Sequence, residues 1–305
     1  MRAAFFSELA TLAEKDERIV VLTADLGYLA IEPFSEKFPD RFFNAGISEQ
    51  NMIGMAAGLA KDGFIPFVYS ITPFAVLRPF EFIRNGPIEH QLPVRIIGGG
   101  GGIDYSTNGI THYALEDYGV LRTLPGIEII VPADTAQTET ALEKTWNLPG
   151  PVYYRIAKKA HYFIPELKGR FELGQPELIR SGSDCLILTI GGLTDQAIAA
   201  SDLMIEEGLH PSLAVVSSLN FDISAAFVQM LKSFKKIVTI EDHFINNGLG
   251  SMAAETIASE GMGASLLRIG FSKYPDGKTG SREFMLRKNE LTAEQMARRI
   301  SDFVK

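Results

Sequence analysis

The chain has 305 residues, of which 22% are charged and 46% hydrophobic, and a formal net charge of −8. That length is about twice the commonest domain size and points to two domains, and the composition is too apolar for a disordered chain. The acidic balance and scattered basic residues leave no footprint for nucleic acid. No run approaches the ~20 apolar residues of a membrane span, and the N-terminal MRAAFFSELATLAEKDER is too charged for a secretory signal. The single cysteine, Cys185, rules out an internal disulfide and fits a reducing, cytoplasmic setting.

Apolar runs of strand length alternate with helical patterns. The first strand candidate, IVVLTAD at 19–25, ends at Asp25, which suits an ordinary strand-end turn as well as a functional site. In FFNAGISEQNMIGMAAGLAKDGF, Ser48 is placed to cap a helix over 48–61 by accepting a backbone N–H bond, and Gly54, Ala56, Ala57 and Gly58 thin one face for another backbone. Glu49 then stands near the positive end of the helix dipole, either as a plain first-turn acid or as a functional carboxylate at the helix mouth. After the strand FIPFVYS at 64–70, Phe74, Leu77 and Phe80 fall at helical spacing, the pattern of a core stripe. The strand VRIIG at 94–98 leads into the run Gly98 to Gly102. Without a spaced G-x-G-x-x-G frame or a ribose-binding acid, this run is expected as a loop where side chains would obstruct a ligand or a neighbouring subunit, not as a dinucleotide site.

The polar stretch YSTNGITHYALED at 105–117 carries His112, which by itself fits a hydrogen-bonded loop histidine as readily as a functional one. The strands IEIIVPAD at 127–134 and PVYYRIA at 151–157 close this half, and Arg155 suits either a surface ion pair or a bidentate grip on phosphate. The regularity lapses after Lys158, giving a linker over 161–183 between domains at 1–160 and 184–305. Alternation resumes with CLILTIGG (185–192), PSLAVVSSL (211–219), KIVTIEDH (236–243) and SLLRIGF (265–271), separated by helices near 194–207, 222–233 and 248–260 and followed by one near 291–304. Strands apolar at successive positions, with helical crossovers, indicate an α/β protein of two domains, each a mostly parallel sheet flanked by helices. Glu241, Asp242 and His243 are read as structural or subunit-contact groups in preference to a metal site, since no second ligand cluster accompanies them.

Together these segments resemble the pyrimidine-binding and C-terminal domains of the transketolase family. The phrase G-I-x-E-Q-x-M stands at 46–52, T-H-x-x-x-E-D at 111–117, L-R-x-x-P-G at 121–126 and P-A-D at 132–134, and IEDHFINNGLGSMAAE is similar to the family's C-terminal strand-to-helix phrase. The resemblance implies thiamine diphosphate as cofactor. Glu49 would share a proton with its aminopyrimidine, Phe74 would stack on that ring with Phe80 nearby, and Asp25 would lie near the cofactor and the subunit contact. His112 would line the substrate channel as a catalytic and sugar-binding group, and Arg155, with Arg2 as a weaker parallel, would hold a substrate phosphate. The sequence departs from the family at Asn108, where relatives carry aspartate. An amide offers a sugar a different set of hydrogen bonds from a carboxylate.

A bound diphosphate needs a hard divalent cation with oxygen ligands, and no G-D-G phrase of the kind that holds it occurs in this chain. The resemblance therefore implies no metal ligands here. It implies instead a partner subunit bearing the G-D-G domain with Mg2+ or a similar cation, and a heterotetramer with two copies of each chain. The implied activity is transfer of a two-carbon ketol unit between a ketose and an aldehyde, a transferase of carbohydrate metabolism active only with its partner, on small-molecule sugars. The alternatives are the beta subunit of a 2-oxo-acid dehydrogenase, against which T-H-x-x-x-E-D argues, a deoxyxylulose phosphate synthase-like enzyme, and a non-catalytic assembly subunit.

Overall fold

A computed structural model describes residues 1–158, 162–219 and 223–305. The expected domain boundary at 160/161 and the expected start of a helix at 222 lie outside the described residues. Among the described residues no helix is long and apolar enough to cross a membrane.

The first domain is built on a sheet of β1 (Ile19–Thr23), β2 (Phe42–Asn44), β3 (Ile65–Ile71), β4 (Arg95–Gly99), β5 (Glu128–Ile130) and β6 (Val152–Ile156), all parallel. Side chains of successive strand residues point to opposite faces, and β1 shows both faces covered. Val20 and Leu22 join Met52, Ile53 and Ala56 of the Glu49–Lys61 helix on one side, while Ile19 and Val21 join Phe5, Phe6 and Leu9 of the Arg2–Lys15 helix on the other. This is why β1 reads as an unbroken apolar run. The second sheet comprises β7 (Glu177–Arg180), β8 (Leu186–Ile190), β9 (Ser212–Val215), β11 (Lys236–Phe244) and β12 (Ser265–Phe271), in the order β12-β11-β8-β9-β7. Only β7 runs antiparallel, against β9. A two-residue strand, β10 (Ser218–Leu219), leaves the second domain and pairs antiparallel with β5, so the first sheet has the order β10-β5-β6-β4-β3-β1-β2.

Two expectations change accordingly. PSLAVVSSL is not one strand: it contributes β9 to one sheet and β10 to the other. Part of the stretch expected as linker forms the edge strand β7.

The seam between the domains is buried and charged. Arg155 at the end of β6 is 2% exposed and donates to Asp242 Oδ1 at 2.5 Å, to the Ala114 carbonyl at 2.7 Å and to the Asp242 carbonyl at 3.1 Å, with its Nε 2.9 Å from Asp117. The last two glycines of the run are explained here: a Cβ on Gly101 would fall 2.6 Å from Arg155 Nε, and one on Gly102, at φ +55, 2.6 Å from Asp242 Oδ2. The chain's own clamp, instead of a nucleotide, requires these positions to be bare. Glu241 accepts from the Leu249 and Gly250 amides and from the Tyr118 hydroxyl, each at 2.9 Å, anchoring the start of the Leu249–Ser259 helix. His243 stacks on Tyr118 with ring centroids 3.8 Å apart and accepts the Gly119 N–H at 3.2 Å.

Candidate active site

The site follows from sheet order. Strands β4, β3, β1 and β2 are neighbours and parallel, so the loops leaving their C-terminal ends open on one edge. The chain steps from β1 to β2 on one side and then to β3 and β4 on the other. The crevice between the loops after β1 and β3 is therefore a topological switch point, where ligands of open α/β sheets bind.

Each loop brings one group. After β1, Asp25 adopts φ +55, an uncommon backbone for a non-glycine residue. Asn44, at the end of β2, holds it there: Asn44 Nδ2 donates to Asp25 Oδ1 at 3.0 Å, and the Asp25 N–H donates to Asn44 Oδ1 at 3.1 Å. A hollow of about 200 Å3 opens beside this pair. After β2 the chain turns through Ser48 into the Glu49–Lys61 helix. Ser48 does not cap that helix with its side chain as expected; its hydroxyl donates backward to the Ala45 carbonyl at 2.7 Å. Glu49, the first helical residue, is 3% exposed and accepts from Arg78 Nη1 at 3.0 Å.

The loop after β3 forms the short helix Thr72–Val76, which carries half-buried Phe74. Arg78, four residues on, lays its guanidinium 3.7 Å from the Phe74 ring centroid. After β4, the turn Ile110–His112 brings the His112 ring to 5.2 Å from Phe74, edge on. Thr111 Oγ1 lies 2.9 Å from His112 Nδ1. Tyr105 stands 6.0 Å from His112, with Lys158 Nζ 4.6 Å above its ring. Asn108 is exposed on the same loop, its side chain accepting only from Thr107 Oγ1 at 3.3 Å among the described contacts.

Glu49, Phe74 and His112 thus meet at one edge, with Asn108 on the loop of His112 and Asp25 on an adjoining loop. Phe80 begins the next helix, half-buried against the core. Arg155 is not among them. It was expected at a substrate phosphate or in a surface ion pair; instead it is buried, paired with Asp117 and Asp242 in the clamp. Arg78 and Asn44 were missed. Arg78 had one signal, its i+4 spacing from Phe74; Asn44 had none beyond its place before Ala45-Gly46. A buried carboxylate at a helix N-terminus beside an aromatic face suits a planar ring with N–H donors on its edge, and the Arg78 guanidinium, itself planar and rich in N–H, presently fills both roles. Among the described residues no group of three or more His, Cys, Asp or Glu is placed to hold a metal ion.

Residues 1–162 match the family of the transketolase pyrimidine-binding domain, and residues 174–296 that of the transketolase C-terminal domain. The chain is 36% identical over 308 residues to a Methanocaldococcus jannaschii protein given as a candidate transketolase C-terminal section, covering 100% of this chain and 96% of that protein. It is 33% identical over 300 residues to the 6-deoxy-6-sulfo-D-fructose transketolase subunit of Clostridium sp. (strain MSTE9), covering 98% of this chain and 92% of the relative. A solved structure described as a split gene transketolase, inactive beta4 tetramer, shares 32% identity and a TM-score of 0.85 over 99% of this chain and 97% of its own. The chain belongs to the transketolase family, as a split-type subunit made of the pyrimidine-binding and C-terminal domains.

Proposed function

We propose that this chain is the pyrimidine-side subunit of a thiamine diphosphate-dependent transketolase that moves a two-carbon ketol unit from a ketose to an aldehyde. When bound, the cofactor supplies the carbon nucleophile that takes up and releases that unit. Glu49 holds the ring edge and shares a proton there, and Phe74 supports the ring face, with Phe80 behind it. His112, against Phe74 and Tyr105, is placed to hydrogen-bond the sugar, and Asn108 and Asp25 border the opening. The observation that carries this reading is Glu49: a carboxylate 3% exposed at a helix start, paired only to a half-exposed arginine among the described contacts, at the switch point of a parallel sheet.

A partner subunit supplies the rest. A relative named as a transketolase subunit and a solved split gene transketolase support a partner that carries the divalent cation and diphosphate, and two copies of each chain would make the active tetramer. Large apolar side chains stand exposed around the opening, including Leu29 at 91%, Ile47 at 78% and Ile110 at 56%. On the Glu49–Lys61 helix, a Cβ added at Gly54 or Gly58 would meet nothing within 4 Å. Such a face suits burial by another subunit.

The test is ketol transfer by the reconstituted pair, wild type against Glu49→Gln. The amide keeps shape and hydrogen bonding but cannot share the proton, so turnover is expected to fall about 100- to 10,000-fold with melting unchanged. A near wild-type rate with cofactor bound would reduce Glu49 to a first-turn helix acid.

A further inference from the structure

Arg78 lies in the middle of the proposed ring pocket without a task in the proposed reaction. Its Nη1 donates to Glu49 Oε1 at 3.0 Å while the same guanidinium covers Phe74 at 3.7 Å. The Glu49 side chain is 4% exposed and that of Arg78 46%. A guanidinium is planar and cationic and carries donors around its edge, so it satisfies a carboxylate with its edge and an aromatic ring with its face at once. An aminopyrimidine held by Glu49 at its edge and Phe74 at its face needs those two surfaces. The two groups cannot hold them together.

We propose that Arg78 is a displaceable latch: in the chain on its own its guanidinium stands in for the coenzyme ring, keeps the buried Glu49 carboxylate paired, and swings out to solvent when the ring enters. The inference rests on the reading of Glu49 and Phe74 as the groups that hold the ring. Its physical logic is that a buried carboxylate without a partner is costly, so the pocket needs an internal occupant until the cofactor arrives. That occupant must also be easy to remove. One hydrogen bond and one cation–π contact hold it, and nearly half of the side chain is already in water, where such pairs are weak. The backbone need not move, because Arg78 lies between the Thr72–Val76 helix and Pro79 and only its long side chain crosses the pocket. Exchange of an exposed rotamer takes picoseconds to nanoseconds, so the latch lowers affinity without creating a slow binding phase.

The experiment is calorimetric titration of thiamine diphosphate with Mg2+ into the complex of this chain with its diphosphate-side partner, wild type against Arg78→Met, with melting of each free chain alongside. Methionine offers similar reach without charge or N–H. Arg78→Met is expected to bind the cofactor about 5- to 30-fold more tightly, while its free chain melts below wild type because Glu49 has lost its partner. Equal or weaker binding by Arg78→Met, with wild type binding normally, overturns the latch alone and leaves the reading of the pocket standing; an arginine that grips the cofactor would give that result. A free chain whose melting is unchanged by Arg78→Met also overturns it. A wild-type complex that takes up no cofactor overturns the latch and the proposed function together.

Discussion

Glu49 and Arg155 are both buried charges, and the difference between them lies in their partners. Arg155 is buried between two carboxylates and two carbonyls of this same chain. Among the described contacts Glu49 has one side-chain partner, the half-exposed Arg78. That contrast, more than burial itself, separates a clamp from a site. Asn108 borders the proposed opening. It is exposed and its amide can both donate and accept, so it can pair with groups that an aspartate would repel. Asn108→Asp in the reconstituted pair is expected to shift relative efficiency toward ordinary ketose phosphates by about 10- to 100-fold, measured as kcat/KM for xylulose and fructose phosphates against sulfonated or otherwise modified sugars. Glu49 and His112 stand in phrases of fixed spacing and Phe74 in a stripe of helical spacing, so all three could be singled out from the sequence. Arg78 was not, because its pairing with Glu49 spans 29 residues and arises only when the loops after β2 and β3 are folded side by side.

At the scale of elements, long strands and helices could be read from the sequence and short ones could not. SLLRIGF is β12 residue for residue, whereas β2, β7 and β10 have three, four and two residues and little periodicity to show. Their existence depends on partners elsewhere in the chain. The Glu241–His243 segment makes a sharper point, because three chemistry-bearing residues in a row join domains and cap a helix. Burial pushes Glu241 up to about 7, against the pull of the Gly250 amide, the Tyr118 hydroxyl and the Leu249 amide. Burial, aided by the nearby Arg155 charge, holds His243 down to about 3. The two act oppositely on stability. As pH falls from the ordinary histidine value of 6.5 toward 3, the unfolded chain takes up a proton at His243 that the folded chain refuses, so stability is lost. Between 7 and 4.5 the folded chain takes up a proton at Glu241 that the unfolded chain does not, so stability is gained on acidification. His243→Gln removes only the first effect. Relative to wild type, the variant is expected to gain up to about 1.4 kcal/mol for each pH unit below the ordinary histidine value, read from urea unfolding midpoints along a pH series. A difference that does not change with pH would contradict a neutral, buried His243.

At the scale of the whole molecule, the two domains form one continuous body. A single apolar cluster runs from Val20 and Met52 in the first domain to Leu188 and Leu249 in the second, β10 crosses from one sheet to the other, and the Arg155 clamp is buried between them. The two-domain α/β architecture was legible in the alternation of apolar runs. The joining of the domains was not, because it depends on a two-residue strand and on charges whose partners lie 87 residues apart. In the proposed reading this body presents half of a cofactor site at an apolar edge. The proposed function assigns the other half to another chain. Calorimetry of thiamine diphosphate with Mg2+ should therefore be run on this chain alone, on its diphosphate-side partner alone, and on the equimolar mixture. Tight binding should appear in the mixture, with this chain alone showing no binding at micromolar concentrations; micromolar affinity in this chain by itself would contradict the account.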